Sequence, residues 1–240
     1  MGSPQTLSEA DRRIVAVWAA DCAERVLGLF EAEAPADSRP GDAIARLRAF
    51  ARGELGVRQA RRRFVAHAAA REVSAPAAVA AARAAGQAAS IPHMGAHALG
   101  AAAYAAKAAG LAAPDRPEAV SEEICWQLGR MSAAARAALR QLPAVGENSS
   151  GPLGPGLLAS GLLGTIIRDL QASLAAPDHA LLPRPQIDQE DGKKEEQPVE
   201  VHVAERPHSA RPLVVPHPDS RWVATPPHPL SLATRPVAPT

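Results

Sequence analysis

Ile14, Trp18, Cys22, Val26 and Phe30 recur every four residues, with Val17 and Leu29 widening the stripe. That period predicts an amphipathic helix from about Ser8 to Glu33 with one face buried. Ser8, followed three residues on by Asp11, has the pattern of an N-terminal capping box with Asp in place of Glu. Ser38-Arg39-Pro40 reads as a cap with proline entering the first turn, opening a second helix through Ile44, Leu47 and Phe50 that ends near Gly53. A third helix is predicted over 57–72, placing Ala60, Phe64, His67, Ala68 and Arg71 along one side. Ser74-Ala75-Pro76 opens a fourth, to about Ala89, and Ser90-Ile91-Pro92 a fifth, to Ala109 with Gly110 just past its end. A sixth carries Ile124, Cys125, Leu128 and Met131, and a short seventh spans 132–142. Leu158, Leu162, Ile166 and Leu170 suggest one more helix over 157–174, and no stretch alternates convincingly as a strand.

Between Val65 and Leu111 the chain is saturated with alanine, the best intrinsic helix former and the smallest side chain that can pack. The expected fold is therefore all-α, a single alanine-rich multi-helix bundle with short connections between antiparallel neighbours. Gly95 and Gly100 each cost about 1 kcal/mol of helix propensity, a loss that close approach of a neighbouring helix would offset. Of the 23 prolines, six fall in 1–114 and thirteen in 177–240. Proline removes a backbone donor and fixes φ, so this distribution separates a foldable part from a tail. The expected organisation is a helical domain over 7–145, a linker with a possible additional helix over 146–176, and a long, largely disordered Pro-rich tail over 177–240.

Up to Val145 there are 18 Lys and Arg against 14 Asp and Glu, and beyond it 8 against 11. Neither balance has the concentrated positive charge of a nucleic-acid binder, so no nucleic-acid partner is expected. No apolar run approaches the roughly 20 residues of a membrane span, and 1–11 lacks a secretory pattern, which makes the cytoplasm the expected location. Cys22 and Cys125 lie far apart in helical patterns and read as reduced thiols.

A few large polar residues interrupt the alanine, and each has a functional and a structural reading. His93 and His97 stand at i, i+4, a spacing that can bind a metal, with His67 the natural third ligand. The glutamate of a zinc-protease motif is absent, and hydrogen-bonded or cleft-lining histidines are favoured. No metal, cofactor or catalytic residue is expected. Asp21 and Arg25 form an i, i+4 pair, and His67 with Arg71 suggests an inter-helix polar network that fixes helix register. Arg58, Arg61, Arg62 and Arg63 read as a solvated basic face, because the aromatics that nucleic-acid binding would interleave are scarce.

Several ordered short motifs resemble the immunity-protein-five-like family of bacterial toxin–immunity systems. They are Asp11-Arg12-Arg13, then Trp18 with Asp21, Cys22, Glu24 and Arg25, then Arg39-Pro40 before Ala43-Ile44. They continue through His67, Arg71 and Glu72, through Gly86-Gln87, through His93, His97, Tyr104 and Lys107, and through Glu123, Trp126 and Gln127. The resemblance runs from about Leu7 to Leu142, and the remainder departs from the family pattern. It implies an all-helical, non-enzymatic protein that neutralises a cognate toxin by protein–protein contact. The expected binding residues are Trp18, Asp21, Arg25, Arg39, His67, Arg71, His93, His97, Tyr104, Lys107 and Trp126, with Arg and aromatic side chains as anchors where exposed. The alternative is a metal- or ligand-binding helical enzyme that uses His67, His93 and His97. A structural module with a proline-rich docking tail ranks last.

Overall fold

The computed structural model describes residues 3–60 and 65–176, with the side chains of 65 and 66 left aside. Among them the fold is all-α: α1 Glu9–Glu31, α2 Arg39–Ala51, α3 Val57–Ala60, α4 Val65–Ala69, α5 Pro76–Ser90, α6 His97–Ala112, α7 Ala119–Gly129, α8 Ala133–Leu139 and α9 Gly161–Ala175. The expected tail over 177–240 lies outside the described residues, as do 61–64 within the predicted third helix.

The local signals act largely as read. Ser8 caps α1 by accepting the Asp11 amide at 3.0 Å. The Asp11 carboxylate then takes the Ser8 hydroxyl at 2.7 Å rather than reaching back to a backbone amide. Gly53, two residues past the end of α2, holds φ at +84°, a left-handed conformation that favours glycine. The stripe of α1 is buried through Trp18, Cys22, Val26 and Phe30, but Val17 points outward at 49 % exposure. Ser38 makes no backbone cap and donates its hydroxyl to Asp42 instead.

The start of the fifth predicted helix is displaced. Ser90 ends α5, its hydroxyl donating to the Gly86 carbonyl at 3.0 Å, and Pro92 sits in the turn that follows. α6 begins only at His97 and runs through Gly110 to Ala112. The reason is non-local: Gly95 and Ala96 donate their amides to the carbonyls of Thr6 and Gln5 at 2.9 and 3.0 Å. Donors near a helix start need partners from outside the helix, and the N-terminal segment supplies them here.

α5 and α6 pack on each other and on α1, burying Ala80 to Ala82, Ala84, Ala85, Ala88, Ala98 and Ala101 to Ala103. Alanine buries little apolar area per residue, so larger side chains contribute most of the transfer energy, about 1.5–3 kcal/mol each when fully buried. Trp18, Phe30, Leu47, Phe50, Ile91 and Leu99 are the largest of these in the first half of the chain. Leu139 adds to them from α8, and four come from beyond residue 145: Leu153, Ile166, Ile167 and Leu170 are buried in the same core. α9 buries Leu163, Ile166, Ile167, Leu170 and Leu174, while Leu162 of the anticipated stripe is 47 % exposed. Arg136 and Arg140 of the α8 region donate to the carbonyls of Ser173, Leu174 and Ala176. The segment 146–176 is thus part of the packed body.

Ending the chain after 145 would strip these leucines and isoleucines from the core. Truncation after 176 is expected to preserve cooperative thermal unfolding. Truncation after 145 is expected to lower the melting temperature by more than about 10 °C or abolish the transition, because each buried aliphatic side chain lost costs about 2–5 kcal/mol.

Candidate functional site

Two regions gather the polar residues singled out above. The first is a cleft of about 440 Å³ where α5, the turn before α6, α6 and the 151–158 loop meet. Gln87, His93, Met94, His97 and Tyr104 line one side, and Gly151, Pro152, Gly154, Gly156, Leu157 and Leu158 the other. Helical spacing accounts for the inner wall: α5 supplies Gln87, and His97 and Tyr104 lie two turns apart on α6. His97 Nδ1 is 2.7 Å from Gln87 Oε1. An amide oxygen can only accept, so in this arrangement Nδ1 carries the proton and Nε2 presents its lone pair. The charge of Arg83 on α5 acts on the Tyr104 phenol. The His67 ring sits against Gly86, where a Cβ would come within 2.6 Å of its Nδ1. Gly100 likewise makes room, since a Cβ there would lie 2.7 Å from Gln87 Oε1 and 3.0 Å from Leu158 Cδ1.

Burial, aided by the neighbouring His93 and His67, holds the His97 imidazole down to a pKa of about 4. Burial and the charges of Arg83 and Arg71 move His67 in the same direction. Burial raises the Tyr104 phenol, against the opposing pull of Arg83. The inner wall therefore holds a neutral His97 imidazole and a protonated Tyr104 phenol at neutral pH.

His93 and His97 do not share a helix face as expected. His93 is exposed in the turn, and His97 is the first residue of α6. No group of three or more His, Cys, Asp or Glu side chains gathers at metal-binding range among the described residues. The metal version of the enzyme alternative therefore lacks its geometry.

The second region is an aromatic–cationic platform on α1 and α7. Arg25 stacks over the Trp126 ring at 4.2 Å and donates to Glu123 Oε2 at 2.7 Å. Arg130 approaches the same ring at 6.0 Å. Trp126 is half-buried, whereas the Glu123 side chain is fully buried and also accepts from Gln127 Nε2. Leaving a buried carboxylate unpaired costs about 3–5 kcal/mol, so Glu123 locks the stacked guanidinium in place. Asp21 borders the platform, accepting from Arg48 at 2.9 Å with Arg130 at 3.9 Å. Sequence reasoning included Trp126, Arg25 and Asp21 but missed Glu123, because a glutamate between Glu122 and Ile124 in a helix reads as solvated.

The other candidates are dispersed. Trp18 is 2 % exposed and donates its indole N–H to the Gln127 carbonyl at 2.7 Å, tying α1 to α7 inside the core. Arg39 joins Asp37 to Glu72, an inter-segment clamp at the surface. Arg71 is exposed and Lys107 half-buried. Cys22 is buried and its thiol is raised well above its ordinary pKa by that burial and by Glu123, so it is no nucleophile.

A family model described as "Imm-5 like putative immunity protein" matches residues 5–134. The match covers more than half of the chain, which therefore belongs to the Imm-5-like immunity protein family. No curated protein and no solved structure matches it. No helix among the described residues is long and apolar enough to cross a membrane.

The depressed His97 pKa sets a pH dependence with a definite sign. An unfolded imidazole takes up its proton near pH 6.5, but the folded one does so only near pH 4. The stabilisation is complete above pH 6.5 and is lost as pH falls toward 4, to an extent of about 3 kcal/mol. Imidazole NMR titration should find the His97 midpoint near 4, and urea unfolding at pH 7 and pH 4.5 should show the drop. A midpoint between 6 and 7 would contradict the burial of this ring.

Proposed function

We propose that this chain neutralises a cognate bacterial toxin by protein–protein contact, in the cytoplasm of the cell that makes both, and without catalysis. Membership of the immunity-protein family supports a protein partner. The observation that carries the contact site is the half-buried Trp126 indole with Arg25 stacked on its ring and Arg130 nearby. Tryptophan and arginine dominate binding hot spots because they offer large contact area with few rotamers to freeze. Arg25 is already fixed by Glu123, which lowers the ordering cost on association. Asp21, Glu24 and Arg48 beside it provide a charged rim suited to steering and register. Trp18 and Tyr104 are buried and belong to the scaffold of this reading rather than to its contact surface.

The test is co-expression with candidate toxin domains from reading frames adjacent to this one, read as growth rescue and as affinity of the purified pair. Wild type should rescue and bind. Trp126→Ala should weaken binding by at least about thirtyfold, the effect of a 2 kcal/mol hot spot. Arg52→Ala, at an exposed pair with Glu54, should leave it unchanged. Full binding by Trp126→Ala would remove the platform from the interface, and absence of any complex with wild type would remove the reading itself.

A further inference from the structure

We propose that the cleft between α5 and α6 binds a small oxyanion that also carries a hydroxyl, the chemical class of hydrogen phosphate and of short hydroxy acids. The hydrogen-bonding roles around the cleft are already assigned by valence. A phenol carries one O–H donor, so Tyr104 can donate into the cleft it lines, with the charge of Arg83 acting on the same group. His97 spends its Nδ1 proton on Gln87 Oε1 and keeps a lone pair on Nε2. Tyr104 and His97 both line the cleft, so it presents one donor and one acceptor on the same wall. A ligand that satisfies both accepts through an anionic oxygen and donates through an O–H.

The surroundings fix the sign of the charge. Arg83 is half-buried, and among the described residues no carboxylate pairs with it, with Arg71 or with Lys107. Three other partly buried arginines are matched by carboxylates, Arg25 by Glu123, Arg39 by Asp37 and Glu72, and Arg48 by Asp21 and Glu24, while Arg12 donates to the Thr6 and Leu7 carbonyls. A half-buried guanidinium behind a phenol, without a counter-charge, leaves the cleft with a positive potential that an anion would satisfy. The volume of about 440 Å³ is in the range of small-molecule sites.

The cleft is also built at a cost to local stability. Gly86 and Gly100 interrupt alanine helices where a methyl group would collide with the His67 ring and with Gln87. Each glycine gives up helix propensity to seat a polar side chain beside the groove. The opposite wall, 151–158, lies outside the family-matched 5–134, so this part of the cleft is supplied by sequence beyond the family match. Gln5 holds that wall, donating to the Ser150 carbonyl at 2.7 Å and accepting the Leu153 amide at 3.0 Å.

The experiment is isothermal titration of the full-length chain with inorganic phosphate and with lactate at neutral pH. Sulfate and propionate, which lack the hydroxyl donor, are the paired controls at matched ionic strength. Phosphate or lactate should bind at least about tenfold more tightly than its control, and whichever responds identifies the oxyanion. Tyr104→Phe removes a single oxygen and should weaken that binding by about tenfold or more, as should Arg83→Gln. Far-UV circular dichroism and unliganded melting confirm that each variant is folded, and Tyr104→Phe suffices should Arg83→Gln fail. No binding above the controls, or equal binding by wild type and Tyr104→Phe, would overturn the proposal. Neither result bears on toxin contact through Trp126, which is scored separately.

Discussion

The short side chains along α5 and α6 determine what the rest of the molecule can do. Helices faced with alanine can come closer together than helices faced with leucine, and close packing leaves no interior space for a large side chain. Any arginine, glutamine, histidine or tyrosine on these helices must lie at the edge of the contact or displace a methyl group. Gln87, His97 and Tyr104 take the edge, and Gly86 and Gly100 are the places where the methyl group is absent. The cleft follows from this constraint: a row of polar groups confined to one groove between two otherwise featureless helices.

A close-packed alanine pair contributes little transfer energy, and large residues from other elements compensate. α1 and α2 bring Trp18, Phe30, Leu47 and Phe50, while α9 brings Ile166, Ile167 and Leu170. Two buried polar groups tie these layers together: the Trp18 indole to the Gln127 carbonyl, and Gln5 to the 150–153 loop. The N-terminal segment acts twice, since the Gln5 and Thr6 carbonyls also receive the amides of Ala96 and Gly95. Leu7 takes a left-handed φ of 59° at this point, a conformation that costs a non-glycine residue about 1–2 kcal/mol. Its backbone carbonyl is held by Arg12 at 2.7 Å, and its side chain fills the space beside Gly95.

Much of this was legible in the sequence where the cause is local. The four-residue stripe of α1, the Ser8 cap, the end of α2 at Gly53 and the class of the fold all rest on propensity and period. What stayed hidden is long-range. Ser90-Ile91-Pro92 looks like a helix start, yet its serine bonds backward to Gly86, and the start of α6 depends on carbonyls ninety residues away. Glu123 and Gln5 are polar residues buried by partners that no spacing rule connects to them. The residues chosen for chemistry separate in the same way. His97 and Tyr104 reach one cleft because both lie on α6, and His93 lines it from the preceding turn, off the helix, because α6 begins six residues late.

Gly86→Ala tests the central claim, that tight packing along α5 seats polar groups where a methyl group cannot fit. Propensity alone would make this substitution stabilising by about 1 kcal/mol in a helix interior. The geometry puts the new Cβ at 2.6–2.8 Å from three atoms of the His67 ring, so the account predicts a loss of stability in urea unfolding and a displaced His67 imidazole resonance. A more stable protein with an unchanged His67 signal would contradict it.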